Sequence, residues 1–147
     1  MDRSLLDLPV LLLSATRALV DGIDAGVRAR GFTDLRPAHG FAFARIAGGG
    51  ATVMQLAEHL GVTKQAASQM VDELTRKGYV DRHPHPDDAR AKLIVLTEKG
   101  WACTRAADEA SADILRPWAD ALGPERVAAL RHDLARLAVP GRMRPVW

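Results

Sequence analysis

The sequence has one cysteine, Cys103, in 147 residues, so no internal disulfide can form and no cysteine-based zinc cluster can assemble. Metal would have to come from five histidines, His39, His59, His83, His85 and His132. Only His83 and His85 are close in sequence, and two side chains on a proline-containing loop read as solvated imidazoles, not as a metal site. If protonated, they add positive charge to that loop. No apolar run approaches the ~20 residues of a membrane span, and Met1-Asp2-Arg3-Ser4 lacks a secretory layout, so the expected location is the cytoplasm. There is little excess charge of either sign: 20 Lys and Arg against 18 Asp and Glu leave +2. That balance does not announce nucleic acid, so affinity for a polyanion must depend on where the cations point. An enzyme would need a nucleophile, a base and an orienting group, and no glycine elbow or metal pattern supplies them. Gly48-Gly49-Gly50 is followed by no Lys-Ser/Thr and preceded by no strand, which excludes a phosphate loop and leaves a flexible connector. No cofactor is expected.

What is present is 48% hydrophobic content, enough for one domain or two small lobes sharing a core. The informative stretch is Thr52 to Thr97. In Thr52-Val-Met-Gln-Leu-Ala-Glu-His-Leu60, residues Val53, Leu56, Ala57 and Leu60 fall at i, i+3, i+4 and i+7, with Thr52 as N-cap. Gly61 supplies a left-handed stop, Val62 plugs the corner and Thr63 caps a second helix, Lys64 to Lys77. That helix hides Ala67, Met70, Val71 and Leu74 and turns Lys64, Gln65, Ser68, Gln69 and Asp72 outward. A purely solvated face would more often carry Glu and Lys, whereas Gln, Ser and Thr can donate to phosphates and hydrogen-bond base edges. Arg76 and Lys77 suit the last turn, and Gly78 the left-handed position after it.

Tyr79-Val-Asp-Arg-His83 then reads as a strand, Pro84 to Ala89 as a turn unable to continue a ladder, and Lys92-Leu-Ile-Val-Leu96 as the return strand. Arg90 is left near the exposed tip, where an arginine can enter a minor groove.

The flanks read as helices. Leu5 through Arg30 forms one long helix ended by Gly31, and Leu11, Leu12 and Leu13 widen its apolar face beyond what one neighbour covers. Pro37 suits the first position of a helix running to Ala47. Thr97 caps a helix from Glu98 towards Ala121, kinked at Pro117, and Pro124 to Leu137 gives the last one. Its stripe of Val127, Leu130, Leu134 and Leu137 reads as core packing.

Leu56-Ala57-Glu58-His59-Leu60-Gly61-Val62-Thr63, Val71-Asp72-Glu73-Leu74, Lys77-Gly78-Tyr79-Val80, Asp88-Ala89-Arg90 and Leu96-Thr97-Glu98-Lys99-Gly100, in that order, resemble the MarR family of bacterial transcription regulators. The resemblance implies a mainly α fold with a small β-hairpin wing (α+β): a winged helix-turn-helix with N- and C-terminal dimerisation helices. The DNA-binding lobe would span 34–97 and the dimerisation region 1–33 with 98–147. It implies a homodimer on double-stranded DNA, meeting two half-sites of a near-palindromic operator about one duplex turn apart, and acting as a repressor. Base and phosphate contacts fall by resemblance to Thr63, Lys64, Gln65, Ser68 and Gln69. Arg90 takes the minor groove, with Asp88 orienting it through a charge-assisted hydrogen bond. Ala89 stands where many relatives carry another arginine, and so removes one wing contact. Family members commonly release DNA when a small aromatic molecule enters a cleft beside the dimer helices. Here His39, Phe43 and Trp101 are the candidates to line it, a set that suits a planar anion. Cys103 is expected to be an ordinary thiol, since Arg105 is the only basic side chain near it. The alternative is a winged module that binds a protein and not DNA, which salt-dependent binding to duplexes would separate.

Overall fold

Pro9 decides where the first long helix begins. Proline is tolerated in the first turn of a helix but not inside it, so the helix expected from Leu5 starts later, at Leu8. In the computed structural model, which describes residues 2–139, Arg3–Leu5 form a separate 3-10 turn capped by the Asp2 carboxylate. There follow α1 (Leu8–Ala29), α2 (Pro37–Ala47), α3 (Val53–Leu60), α4 (Lys64–Arg76), β1 (Val80–Pro84), β2 (Lys92–Leu96), α5 (Glu98–Leu122) and α6 (Pro124–Leu137). Residues 140–147, the end of the expected C-terminal helical region, lie outside the described residues. No helix among those described is long and apolar enough to cross a membrane.

The corner between α3 and α4 is built as its residues require. Thr52 accepts from the Gln55 amide at 3.2 Å while the Gln55 side chain accepts from the Thr52 amide at 2.9 Å, a reciprocal cap. Gly61 stops α3 at φ 63°, a left-handed conformation that costs a glycine little. Thr63 then caps α4 by accepting from the Ala66 amide at 3.1 Å. Leu56, Leu60, Ala67, Val71 and Leu74 are all buried, and burying a leucine or valine side chain contributes roughly 1.5–3 kcal/mol.

The first strand of the hairpin sits one residue further along than the sequence indicates, while the return strand has the expected bounds, Lys92–Leu96. Tyr79 is buried outside the ladder, and β1 begins at Val80 and includes Pro84, which pairs with Lys92 in the antiparallel register. Pro84 is tolerated because it is the last residue of a strand in a two-stranded sheet, where a missing donor leaves no central bond broken. The three-glycine connector is an ordered turn: the Gly50 amide donates to Ile46 O at 2.7 Å. It delivers Ala51, fully buried, into a bridge with Ile94 of β2. Gly50 adopts φ +88°, and a Cβ there would press on Leu93 at 2.9 Å and on Ile94 O at 3.0 Å.

The core is continuous, running from Val27 and Ala110 through Phe43 and Tyr79 to Leu56 and Ile94. α1 lies close along α5 because Gly22 and Gly26 present no side chain at the seam; a Cβ on Gly26 would come within 2.6 Å of Ala110 Cβ. α6 departs from expectation. Its stripe is not core: Leu134 is 42% and Leu137 78% exposed, and no residue of α6 is buried. Towards the other end of the chain Leu5, Leu6, Leu8, Val10, Leu11, Leu12 and Leu13 are likewise exposed, so α6 and the start of α1 carry apolar faces that the described residues leave uncovered.

Candidate nucleic-acid interface and ligand cleft

Helix α4 is seated by its apolar side and by charge. Asp72 pairs with Arg82 of β1, tying the helix to the wing. Glu73 accepts from Lys77 Nζ at 2.8 Å and from an Arg36 guanidinium nitrogen at 3.1 Å. Lys77 also donates to the Asp34 carbonyl, and the Tyr79 hydroxyl donates to the Asp34 carboxylate at 2.7 Å. That last bond is the main reason the Asp34 carboxyl is held below its usual range, while burial and the same bond push the Tyr79 phenol up.

On the opposite side of α4, Lys64, Gln65 and Gln69 are exposed, and their side chains make no hydrogen bond or ion pair among the described residues. Ser68 is half-buried between them and the core side. Thr63 is exposed, with its hydroxyl oxygen engaged as the cap, which leaves its O–H free to donate. Asp88 and Arg90 stand at the exposed wing tip, but the bond between them differs from expectation. Asp88 Oδ1 accepts from the Arg90 backbone amide at 2.9 Å and makes no contact with the guanidinium. A carboxylate two residues before an amide closes a local turn, so Asp88 fixes the backbone that carries Arg90 and leaves the guanidinium unpaired. His85 does similar work, its Nδ1 accepting from the Asp87 amide at 3.1 Å.

Apart from Arg45, which is half-buried and donates to the Gly50 carbonyl at 3.2 Å, the cations of the winged lobe divide into two groups. Arg36, Lys77 and Arg82 are held in ion pairs. Lys64, Arg76, Arg90 and Lys92 have no ion-pair partner among the described residues and are exposed. Sequence reasoning did not foresee that Arg36 pairs with Glu73, or that Arg76 and Lys92 stand exposed with no ion pair among the described residues.

A cleft of about 520 Å³ lies between α1, α2 and α5. Phe43 and Trp101 line it, as does Cys103, a buried thiol whose pKa burial pushes up to about 11. A thiol held protonated in this way is a poor nucleophile. His39 does not line the cleft. It is fully buried on another side of α2, where its Nδ1 accepts from the Arg36 amide at 3.0 Å. Its Nε2 lies 3.3 Å from an Arg36 guanidinium nitrogen and 3.6 Å from Glu73 Oε2. The expected pairing of a histidine with two aromatics around a planar anion is therefore not built: the imidazole braces the start of α2 against α4.

Burial, more than the neighbouring Arg36, lowers the His39 pKa from its ordinary 6.5. The unfolded chain then binds a proton that the folded chain resists, so stability is full above about pH 6.5 and is lost as pH falls below it. Melting temperature should drop between pH 7.5 and 5.5. His39→Asn, whose side-chain oxygen can still accept from Arg36, should flatten that drop; an unchanged slope would remove His39 as its cause.

The sequence profile of the MarR family matches residues 32–91. An uncharacterized protein of Mycobacterium tuberculosis, Rv2011c, is 34% identical over 88 residues, covering 60% of this chain and 62% of that one. The multiple antibiotic resistance protein MarR of Escherichia coli is 32% identical over 87 residues, 58% of this chain and 60% of that one. The chain thus aligns with about three fifths of the length of these relatives. Among solved structures, RV1404 from Mycobacterium tuberculosis superposes with a TM-score of 0.75 at 26% identity, covering 95% of this chain and 98% of that one. Mutant MarR from E. coli complexed with operator DNA gives 0.71 at 23% identity, covering 95% and 100%, and shares the fold.

Proposed function

We propose that the chain is a member of the MarR family of transcription regulators that binds duplex DNA sequence-specifically as a homodimer and represses transcription. The observation that carries this is the outer face of α4, where Lys64, Gln65 and Gln69 are exposed with no partner among the described residues. A face of that composition can bond phosphates and base edges at once. The MarR structure of the same fold was solved with operator DNA, which supports a like role here. We assign the interface to Thr63, Lys64, Gln65, Ser68 and Gln69, with Arg90 in the minor groove and Asp88 holding its backbone. Residues 34–97 then act as the DNA-binding lobe and 1–33 with 98–147 as the dimerisation region. The uncovered leucines of α1 and α6 support that division, because apolar faces of this extent mark contact with another chain. The cleft beside Trp101 is the place where a small aromatic effector releases the DNA.

The test is selection of bound sequences from random duplexes by the purified protein. Enrichment of a near-palindrome with half-site centres one turn apart, about 34 Å, is expected. No enrichment at any salt concentration, with the protein folded, would leave the protein-binding module as the better reading. On the selected duplex, Arg90→Ala should weaken binding by ~1–3 kcal/mol and Gln69→Ala should relax preference at one position per half-site. Titrations at fixed salt read both effects, and unchanged affinity and preference would remove these residues from the interface.

A further inference from the structure

The cleft between α1, α2 and α5 has an apolar body. Val20 and Ile23 of α1, Phe41 and Ala44 of α2 and the Trp101 indole, 43% exposed, make most of its wall. At about 520 Å³ it is of the size that holds a drug-like molecule.

Its polar groups are mainly acceptors. Three charged residues line it: Asp24, Arg36 and Asp108. Asp24 is paired with Arg28 at 2.8 Å, and the other Arg28 nitrogens donate to the carbonyls of Thr33 and Leu35. Arg36, the one lining cation, is paired with Glu73. Asp108 has no ion pair among the described residues. The hydroxyls of Thr104 and Ser111, also in the lining, donate to the carbonyls of Gly100 and Ala107, so only lone pairs are left to face the cleft. Trp101, Thr104, Asp108 and Ser111 are spaced i, i+3, i+7 and i+10, one stripe of α5. α2, whose N-terminus borders the cleft, begins with Pro37, which has no amide to offer an anion, and the His39 amide donates to Arg36 O.

An anion entering this space meets an unpaired carboxylate, oxygen lone pairs and a guanidinium with one nitrogen already on Glu73. A cation meets the reverse. We propose that the cleft binds an amphipathic organic cation, with its apolar body between α1, α2 and the Trp101 indole and its ammonium group at the Asp108 carboxylate. A charge-assisted hydrogen bond to that carboxylate holds a protonated amine and has no counterpart for an anion. This rests on the reading that the cleft is the effector site, and it sets the charge of the effector.

Two shape-matched probes separate the signs. Calorimetric titration of the full chain with 4-phenylbutylammonium and with 4-phenylbutanoate at pH 7 should give at least tenfold tighter binding of the amine. Asp108→Asn, a substitution at an exposed position, should lower affinity for the amine at least tenfold and erase the discrimination, while the melting temperature reports that the variant is folded. Equal binding of the two probes, tighter binding of the carboxylate, no binding of either, or an Asp108→Asn variant that binds the amine as the wild type does would each overturn the proposal. The titrations need no DNA, so failure of the duplex selection leaves their outcome standing. Amine binding without release of the selected duplex would uphold the ligand class and break its link to regulation.

Discussion

Raising salt from about 50 to 200 mM should weaken binding to the selected duplex by roughly 10³- to 10⁴-fold. The net charge of +2 gives no hint of so steep a dependence; the arrangement of cations does. Arg36, Lys77 and Arg82 are occupied by Glu73 and Asp72 and release no counterions from a phosphate. Lys64, Arg76, Arg90 and Lys92 are exposed and unpaired among the described residues, and Arg90 is the one assigned above, by proposal, to a groove rather than to the backbone. Three or four such cations in each of two protomers neutralise roughly six to eight phosphates, a log–log slope of about −5 to −7. Lys64→Ala should make the slope shallower by about two for the dimer, and Arg82→Ala should leave it nearly unchanged. A slope near zero in the wild type would remove DNA as the partner, and an equal change in both variants would refute the division into free and spent cations.

That division is the part of the interface the sequence could not express. The helix–turn–helix was legible because its determinants are local: caps at Thr52 and Thr63, a left-handed Gly61 between them, and apolar residues at helical spacing all act within one or two turns. The hairpin was legible to within one residue for the same reason. Which cation is neutralised depends on side chains far apart in sequence, Arg36 with Glu73 and Arg82 with Asp72, and no periodicity records those pairs.

The cleft shows the same limit. Phe43 and Trp101 were placed there by resemblance, and both line it. His39, one turn before Phe43, was grouped with them, but its ring turns to the Arg36 amide and Glu73. Asp108 and the spent hydroxyls of Thr104 and Ser111, which set the sign of the cleft, look like ordinary surface residues of an alanine-rich helix until α1 and α2 are packed beside them. The stripe of α6 is a further case. Periodicity identifies an apolar face, but whether it is covered by its own chain or by another is a property of the assembly.

Gly100→Ala should destabilise the protein by ~3 kcal/mol, a fall in melting temperature of about 10 °C for a chain of this length. Gly100 lies buried in the first turn of α5, where the helix crosses the base of the wing. A Cβ there would stand 2.3 Å from the Tyr79 carbonyl oxygen and 3.1 Å from the Leu96 side chain. The carbonyl cannot yield, because it accepts from the Thr97 amide at 3.0 Å, while Thr97 Oγ1 donates to Gly78 O and receives the Gly100 amide. One methyl group therefore has to push α5 away from β1 and β2, opening the cap and the packing of Tyr79 together. Tyr79 is wholly buried against Phe43 and lies under the Lys99 ammonium at 4.3 Å, so little slack exists on that side. Gly40 is the matched control: it is also helical, but an added Cβ meets nothing within 4 Å. Gly40→Ala should stabilise by ~0.5–1 kcal/mol through helix propensity alone. Both variants should be melted at one protein concentration, since association shifts the midpoint. Equal midpoints for the two would mean that α5 and the wing are not in the close contact described, and the link between the cleft helix and the winged lobe would lose its rigid joint.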